Sequence, residues 1–163
     1  MEHPIIYGVC HDTTVARVTV TGAPTQPGGA TAIFRALANS GIKSDMAQNT
    51  PAPGGRNDLS FIVDESDAAT AMAVLEQVRD VVRFDSVSVD VRTGRVTMIG
   101  ASLRSNSEII ARYFESLRDA GVAVEMVAAT DNCIAVVTRR WEAAKAAEHL
   151  KATFRQGEPR PLL

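Results

Sequence analysis

The sequence predicts an α+β fold built from two similar units that follow one another along the chain. The first observation behind this prediction is an internal repeat: ARVTVTG at 16–22 returns as GRVTMIG at 94–100, and NDLSFIV at 57–63 returns as NCIAVVT at 132–138. The second is that the predicted elements come in the same order in both copies. The third is the length of 163 residues, which suits one ordinary domain or two small ones.

The first half of each copy reads strand, helix, strand. In the first copy, Val18 and Val20 are β-branched residues of the kind that strands prefer. A helix is predicted over about 28–39, because apolar residues recur there at helical spacing. Gly41 ends this helix by taking the left-handed conformation that is common after helices. The corresponding helix and strand entry of the second copy are YFESLRDAGVAVEM at 113–126.

The second half of each copy reads strand, helix, and the first copy adds a further strand. The turn PAPGG at 51–55 leads into a strand at 58–63, and a helix is predicted over about 67–79. The segment SVSVDVR at 86–92 alternates strictly between valine and polar residues, as a strand with one buried face does. Each unit is therefore βαββαβ with an antiparallel sheet, which is the ferredoxin-like arrangement.

The second copy lacks a fourth strand of its own. Its last predicted helix ends near Phe154, and the following RQGEPRPLL at 155–163 contains two prolines, which suit a central strand poorly. A surplus segment, PIIYGV at 4–9, precedes the first copy instead. We therefore expect this N-terminal strand to cross to the sheet of the second unit. The first domain is then predicted to span 16–92 and the second 1–15 plus 93–163.

Composition excludes several classes of protein. A formal charge of −2 argues against a nucleic-acid binder, which needs a basic face, and the 5% of aromatic residues are too few for an RNA-stacking sheet. No apolar run reaches the ~20 residues needed to cross a bilayer, and the N-terminus lacks the features of a signal peptide. We therefore expect a cytoplasmic protein that binds neither nucleic acid nor membrane. Cys10 and Cys133 are isolated and are predicted to be buried, reduced thiols.

The chain carries no recognisable catalytic motif. It has no GxxxxGK[ST] phosphate loop, and His3, His11 and His149 are too scattered for a metal cluster. His11 and Asp12 are predicted to lie in a hairpin turn. No serine or cysteine is arranged with a histidine as a nucleophile with its base. We therefore predict no catalytic residue, no metal and no cofactor.

The loop before the first helix is the strongest candidate for a binding site. Backbone N–H groups at a helix N-terminus lack partners within the helix, and the helix dipole adds roughly half a positive charge there, so a carboxylate is a suitable ligand. Gly28 and Gly29 allow close approach to the backbone. Asp45 would bind an ammonium group, with the amides of Gln48 and Asn49 nearby. These groups describe a site for a free α-amino acid. The alternative is that the loop merely starts a helix and that the acid is a solvated strand end.

Four segments of the chain form a familiar pattern: GVCHDTTVARVTVTG at 8–22, PGGATAIFRALANSGIKSDM at 27–46, QN at 48–49 and DLSFIV at 58–63. Together they resemble the regulatory part of aspartate kinase, the enzyme that begins lysine, threonine and methionine synthesis. In that family this part consists of two ACT domains, which are βαββαβ modules that bind amino acids. It also occurs there as a separate short β subunit paired with a catalytic α subunit.

The resemblance implies a non-catalytic regulatory subunit. Such a subunit binds an effector amino acid, threonine or alternatively lysine, where ACT domains of two chains meet. It forms a homodimer of regulatory subunits and controls the phosphorylation of aspartate by the catalytic alpha subunit. The alternatives are a stand-alone ACT sensor for another enzyme and a relaxed-feedback homologue that binds its effector weakly.

The resemblance places the effector contacts on the loop before the first helix and on the strand after it. The candidates are Thr25, Gln26, Pro27, Gly28, Gly29, Ala30, Lys43, Asp45, Gln48 and Asn49. Candidates in the second domain are Asn106, Ser107, Glu125, Thr130 and Asp131. The family's D-x-P-G loop reads T-Q-P-G here, so Thr25 replaces an acid, and Lys43 replaces an asparagine. An added cation and a missing acid both disfavour a second ammonium group, so threonine is expected to bind better than lysine.

Overall fold

A computed structural model describes residues 4–25 and 27–155 of the chain. The strands are β1 (Ile5–Pro24), β2 (Asp45–Ala52), β3 (Arg56–Asp64), β4 (Ser86–Ala101), β5 (Met126–Ala129) and β6 (Cys133–Arg139). The helices are α1 (Gly29–Asn39), α2 (Ala68–Gln77), α3 (Arg79–Val82), α4 (Ser107–Asp119) and α5 (Ala143–Arg155), with 3₁₀ turns at Glu65–Asp67 and Arg140–Glu142. Within the described residues the chain separates into a first unit, Thr14–Val91, and a second unit, residues 4–13 with 92–155.

In the first unit the strands lie in the order β2-β3-β1-β4, and both β1 and β2 pair antiparallel with β3. Val18 and Val20 of β1 are fully buried, whereas Thr19 between them is only partly buried. This alternation turns one face of the sheet toward the helices. Leu37 of α1 and Leu75 of α2 complete the core on that face.

The second unit has the strand order β1-β4-β6-β5, with β4 and β5 antiparallel to β6. Its core draws on two strands and two helices, with Val96, Met98, Tyr113, Leu117, Ile134, Val136 and Leu150 among its members. Ile6 and Val9 of the N-terminal strand pack against this core. The predicted crossing of that strand into the second unit is therefore confirmed, and with it the tandem α+β fold.

Each unit carries the same ion pair between its first and its fourth strand. In the first unit the Arg17 guanidinium lies 3.9 Å from the Asp90 carboxylate, and in the second unit Arg95 lies 3.8 Å from Asp12. The two arginines are 78 positions apart in the sequence, and so are the two aspartates. The N-terminal half of β1 is therefore the second unit's counterpart of the strand that closes the first unit.

Several local predictions were wrong. His11 and Asp12 do not form a turn, because both lie inside β1, which runs extended over 20 residues. The helix predicted over 67–79 ends at Gln77, and one further turn, α3, follows it. The prediction of buried cysteines fails for Cys10, which is exposed, while Cys133 is half-buried. The proline-rich end of the chain lies outside the described residues from 156 onward, so the statement about it stays a prediction.

Candidate functional site

A pocket of 220 Å³ lies at the N-terminus of α1 and is called the loop pocket below. It is lined by the end of β1, the β1–α1 loop, the first two turns of α1 and residues of β2 and β3: Ala23, Pro24, Thr25, Pro27, Gly28, Ala30, Ile33, Asn49, Asn57 and Leu59. Five of the predicted effector residues are in this set: Thr25, Pro27, Gly28, Ala30 and Asn49. Another, Gln26, lies outside the described residues. The structure thus brings the β1–α1 loop and β2 to one concave site.

The start of α1 is shaped by Gly28. Its φ of 101° is positive, in the range that glycine adopts readily and other residues rarely do. Its carbonyl accepts the hydrogen bond of the Ala32 N–H at 2.9 Å and so begins the helix. Gly28 has no side chain that caps the helix, and the first turn of α1 contains no acidic residue. The helix end at the loop pocket therefore keeps the positive end of its dipole without a neighbouring carboxylate in that turn.

A second pocket of 300 Å³ adjoins the loop pocket and shares Pro24, Pro27 and Gly28 with it. Its remaining residues are Gly29, Ala32, Val81, Val82 and Arg83. The predicted effector residue Gly29 therefore lines this second pocket. Val81 on its rim is 80% exposed, so part of its wall is an apolar side chain open to solvent.

Asp45, the predicted partner of the ammonium group, lies outside both sets of lining residues. It is exposed at the start of β2, and its Oδ1 accepts a hydrogen bond from the Met46 N–H at 2.8 Å. Lys43 is also exposed and precedes β2. Neither charged side chain is therefore a wall of the loop pocket.

A β-bulge explains why Asn49 reaches the loop pocket and Asp45 does not. Asp45 is paired with Ile62 of β3, but the register shifts before Gln48, which is paired with Ser60. Residues four apart share a face in a regular strand, and one extra residue in β2 places them on opposite faces. Asn49 is accordingly paired with the buried Leu59, on the helix side of the sheet.

Sequence reasoning missed Asn57 as a site residue. It lies at the start of β3, paired with Ala23 of β1 and Pro51 of β2, and lines the loop pocket. Its amide offers both a donor and an acceptor to a ligand. A signal was present in the sequence, because the repeated segments NDLSFIV and NCIAVVT both begin with asparagine, at Asn57 and Asn132.

Polar contacts hold the base of the β1–α1 loop. The Gly22 N–H donates to Asp58 Oδ1 at 3.0 Å, while Arg56 Nη1 donates to the Gly22 carbonyl at 2.5 Å and to the Arg83 carbonyl at 3.0 Å. A Cβ at Gly22 would overlap the carboxylate of Asp85, so the close approach requires glycine. These contacts tie the end of β1 to β3 and to the turn after α3. They thereby fix where the loop begins.

The candidates at the start of α4 occupy the corresponding place in the second unit. Asn106 precedes the helix, and its Oδ1 accepts hydrogen bonds from the N–H groups of Glu108 at 3.1 Å and Ile109 at 3.2 Å. Asn106 is thus a side-chain N-cap, which α1 does not receive from Gly28. Ser107 is exposed at the first position of α4.

The other candidates in the second unit also make local contacts. Thr130 Oγ1 accepts hydrogen bonds from the N–H groups of Asn132 at 3.2 Å and Cys133 at 3.1 Å, which closes the turn between β5 and β6. The backbone carbonyl of Asp131 accepts one from the Leu103 N–H at 3.0 Å. The carboxylate of Glu125 lies 2.8 Å from the guanidinium of Arg139. These contacts shape the second unit itself.

Residues 4–25 and 27–155 contain neither a cluster of metal-ligating side chains nor a helix that could cross a membrane. No group of three or more His, Cys, Asp or Glu side chains in those ranges could hold a metal ion. No helix among them is long and apolar enough to cross a membrane. The cytoplasmic location stays a prediction.

Known proteins resemble this chain both in sequence and in fold. The sequence model of the ACT domain matches residues 18–78 and 96–154. An aspartokinase of Corynebacterium efficiens is 35% identical over 159 residues, which are 96% of this chain and 38% of that protein. The chain therefore spans 38% of the length of this curated relative.

Two solved structures match almost end to end. The ligand-free regulatory subunit of aspartate kinase from Thermus thermophilus is 28% identical with a TM-score of 0.85, over 91% of this chain and 98% of that one. A chain from a structure of aspartokinase alpha and beta subunits is 26% identical with a TM-score of 0.84, over 92% and 99%. The resemblance to the regulatory part of aspartate kinase is therefore confirmed.

Proposed function

Because this chain belongs to the ACT domain family, we propose that it is a non-catalytic regulatory subunit of aspartate kinase that senses an amino acid. The observation that carries the proposal is the loop pocket, which adjoins the N-terminus of α1 in the first unit. The similarity of the whole chain to the Thermus regulatory subunit, over 98% of that subunit's length, supports the regulatory role. The catalytic alpha subunit, which phosphorylates aspartate, is the proposed partner.

The proposed ligand is a free α-amino acid held by its two charged ends. The carboxylate accepts hydrogen bonds from the first N–H groups of α1, where Gly28 leaves room beside the backbone and the dipole favours an anion. The ammonium group donates to the amide oxygens of Asn49 and Asn57, which line the same pocket. Asp45 lies outside this pocket, on the opposite face of β2 from Asn49, so the ammonium group is assigned to the two amides and not to the Asp45 carboxylate.

Threonine fits the loop pocket better than lysine does. The described lining residues include neither aspartate nor glutamate, so a lysine side chain would bring a second ammonium group to a wall without a compensating charge. Threonine brings a hydroxyl and a methyl group, which suit the mixture of Asn49 and Ile33 in that wall.

Feedback by threonine is expected to be relaxed in this chain. Thr25 stands where an acid is expected, and loss of one charge-assisted hydrogen bond, worth about 1.5–3 kcal/mol, weakens binding roughly 10- to 150-fold.

Control of the kinase by the bound effector then follows from linkage. An effector that prefers one arrangement of the assembly shifts the catalytic subunit toward it, and a coupling of about 1–3 kcal/mol between the sites suffices.

Isothermal titration of the chain with threonine and lysine tests this function, with Asn57→Ala as the variant and Asn132→Ala as its matched control. Asn132 is the repeat counterpart of Asn57 and is exposed outside the loop pocket. We expect threonine to bind more tightly than lysine, and Asn57→Ala to weaken threonine binding roughly 10-fold or more, in line with the loss of a hydrogen bond to a charged group. Asn132→Ala should bind as the unaltered chain does.

Two results would contradict the proposal. One is equal loss of threonine binding in both asparagine variants, since the loop pocket would then not be the site. The other is failure of the chain to co-purify with a catalytic aspartate kinase subunit, which would point to a sensor for another enzyme. Tight lysine binding would contradict the assignment of threonine alone.

A further inference from the structure

The guanidinium of Arg56 connects three elements of the first unit. Arg56 belongs to β3, and its Nη1 donates to the Gly22 carbonyl of β1 at 2.5 Å. The same nitrogen donates to the Arg83 carbonyl at 3.0 Å and lies 3.8 Å from Oδ1 of Asp85, in the turn between α3 and β4. These contacts of Arg56 with Gly22, Arg83 and Asp85 are called the arginine clasp below.

Each end of the arginine clasp borders a different pocket. Gly22 directly precedes Ala23, which lines the loop pocket, and Arg83 lines the second pocket. Arg56 itself lies outside both sets of lining residues, although its neighbour Asn57 lines the loop pocket. Arg56 can therefore act on a ligand only through the backbone that it holds.

Both carbonyls in the arginine clasp belong to residues with left-handed backbone. The φ of Gly22 is 70° and that of Arg83 is 65°. A left-handed φ is strained for a residue with a side chain, and it persists only where the surroundings fix it. Glycine has the opposite property, because it adopts many backbone conformations with little strain. The clasp therefore fixes one strained residue and one residue that is free to move.

The turn that the clasp holds also contacts the start of α1. Val82 precedes Arg83, is buried in the core of the first unit and lines the second pocket together with Gly29. A Cβ placed on Gly29 would lie 3.8 Å from Cγ1 of Val82, which is ordinary van der Waals contact. A shift of this turn would therefore displace a side chain beside the first residue of α1.

We propose that Arg56 is a positioning residue for the effector, because the arginine clasp holds the β1–α1 loop and the α3–β4 turn in the arrangement that binds the amino acid. This inference rests on the proposed function and adds a residue that does not touch the ligand. Coupling between two sites is reciprocal, so bound effector stabilises the turn in return. The Asp85 N–H reports on that turn, since it donates to the Thr21 carbonyl at 2.8 Å.

Isothermal titration of the full-length chain with L-threonine tests the inference with Arg56→Met, which keeps an unbranched side chain and removes every donor. We expect threonine to bind roughly 10-fold more weakly, the effect of losing about one hydrogen bond to a charged group. Arg112→Met is the matched control in the second unit, where the Arg112 guanidinium donates to the Thr153 carbonyl at 3.0 Å. This control should bind threonine as the unaltered chain does.

A charge-balanced variant separates positioning from electrostatics. Arg56→Met alone removes a positive charge and leaves the Asp85 carboxylate without it, which by itself would disfavour an anionic ligand group nearby. Arg56→Met with Asp85→Asn restores the net charge of the unaltered chain but not the clasp. We expect this double variant to bind threonine as weakly as Arg56→Met does.

Hydrogen exchange measures the reciprocal effect on the turn. In the unaltered chain, saturating threonine should slow exchange of the Asp85 amide by a larger factor than it slows the amides of α2, which report general stabilisation by the ligand. In Arg56→Met at saturating threonine, the Asp85 amide should lose this additional slowing. A purely structural role of Arg56 would leave no such difference between the two proteins.

The outcomes separate this inference from the proposed function. Unchanged threonine binding in Arg56→Met, an equal loss in Arg112→Met, or recovery in the double variant overturns the inference and leaves the effector site standing. If Arg56→Met does not fold, exchange in the unaltered chain decides, and the absence of additional slowing at Asp85 overturns the inference. Failure of the unaltered chain to bind threonine at all overturns the proposed function and the inference with it.

Discussion

At the scale of the residue, Gly28 has a role that follows from its backbone alone. Its φ of 101° is unfavourable for any residue with a Cβ, although a Cβ there would meet no atom within 4 Å. The need for glycine at position 28 therefore comes from its backbone conformation and not from crowding by neighbouring atoms. We expect Gly28→Ala to lower the free energy of unfolding by about 1–2 kcal/mol, the usual cost of a left-handed L-residue.

Gly8→Ala is the control for that substitution. Gly8 lies in β1 without a positive φ, and a Cβ there also meets nothing within 4 Å. An alanine in a strand interior should be neutral or stabilise by up to about 1 kcal/mol. Urea unfolding of the two variants measures the difference, and equal effects would mean that the backbone of Gly28 is not the cause.

Tyr113 is a second residue whose environment predicts a measurable property. Its side chain is fully buried, and its hydroxyl lies 3.3 Å from the Val96 carbonyl oxygen and 3.4 Å from that of Ile134. Burial raises the pKa of the Tyr113 hydroxyl, and the nearby Cys133 thiol raises it further. The folded state therefore holds this proton more tightly than the unfolded state, whose tyrosine titrates near the ordinary pKa of about 10.

The pH dependence of stability follows from that difference. The contribution of the Tyr113 hydroxyl to the free energy of unfolding is complete below pH ~10. It is lost as the pH rises above that value, because only the unfolded state then releases the proton. Between pH 10 and 11 we expect the unaltered chain to lose about 1 kcal/mol more stability than Tyr113→Phe. Tyr7→Phe is the control, since Tyr7 is 70% exposed and should leave the alkaline loss unchanged. Urea unfolding at several pH values measures this difference in stability. An equal loss of stability between pH 10 and 11 in Tyr113→Phe and in the unaltered chain would refute the prediction.

At the scale of the element, the repeat was enough to predict the order of strands and helices along the chain and the crossing of the N-terminal strand. Local patterns in PIIYGV and ARVTVTG each indicated a strand, but nothing in them showed that the chain stays extended between the two as β1. The equal spacing of the Arg17–Asp90 and Arg95–Asp12 pairs was a further signal, because it identifies Asp12 as a strand residue and not a turn residue.

The bulge in β2 shows why the candidate site could be predicted only in part. Spacing alone places Asp45 and Asn49 on one face of a strand, and the sequence favoured the acid as the ammonium partner. The face of each side chain depends on pairing with β3, where one extra residue reverses the alternation. Register is set by long-range contacts, so neither this reversal nor the role of Asn57 follows from local pattern.

At the scale of the whole molecule, one unit is built from a single segment of the chain and the other from two segments. The first unit is one continuous segment, Thr14–Val91, and holds all four strands of its sheet. The second unit has three strands within residues 92–155, the described part of its continuous segment, and its fourth strand comes from residues 4–13. Ile6 and Val9 of that strand pack against a core that includes Val96 and Met98.

Separated fragments should therefore behave differently. We expect residues 14–91 to unfold cooperatively on their own, and residues 92–163 to do so only when a peptide of residues 1–13 is added, because without it the apolar surface beneath Ile6 and Val9 stays in water. A peptide carrying Ile6→Asp and Val9→Asp is the matched control and should not restore the transition, since it would place two charges against the core. Circular dichroism recorded during heating measures whether each fragment unfolds cooperatively. Cooperative unfolding of residues 92–163 alone, at a temperature that the native peptide does not raise, would mean that the N-terminal strand is dispensable to the second unit.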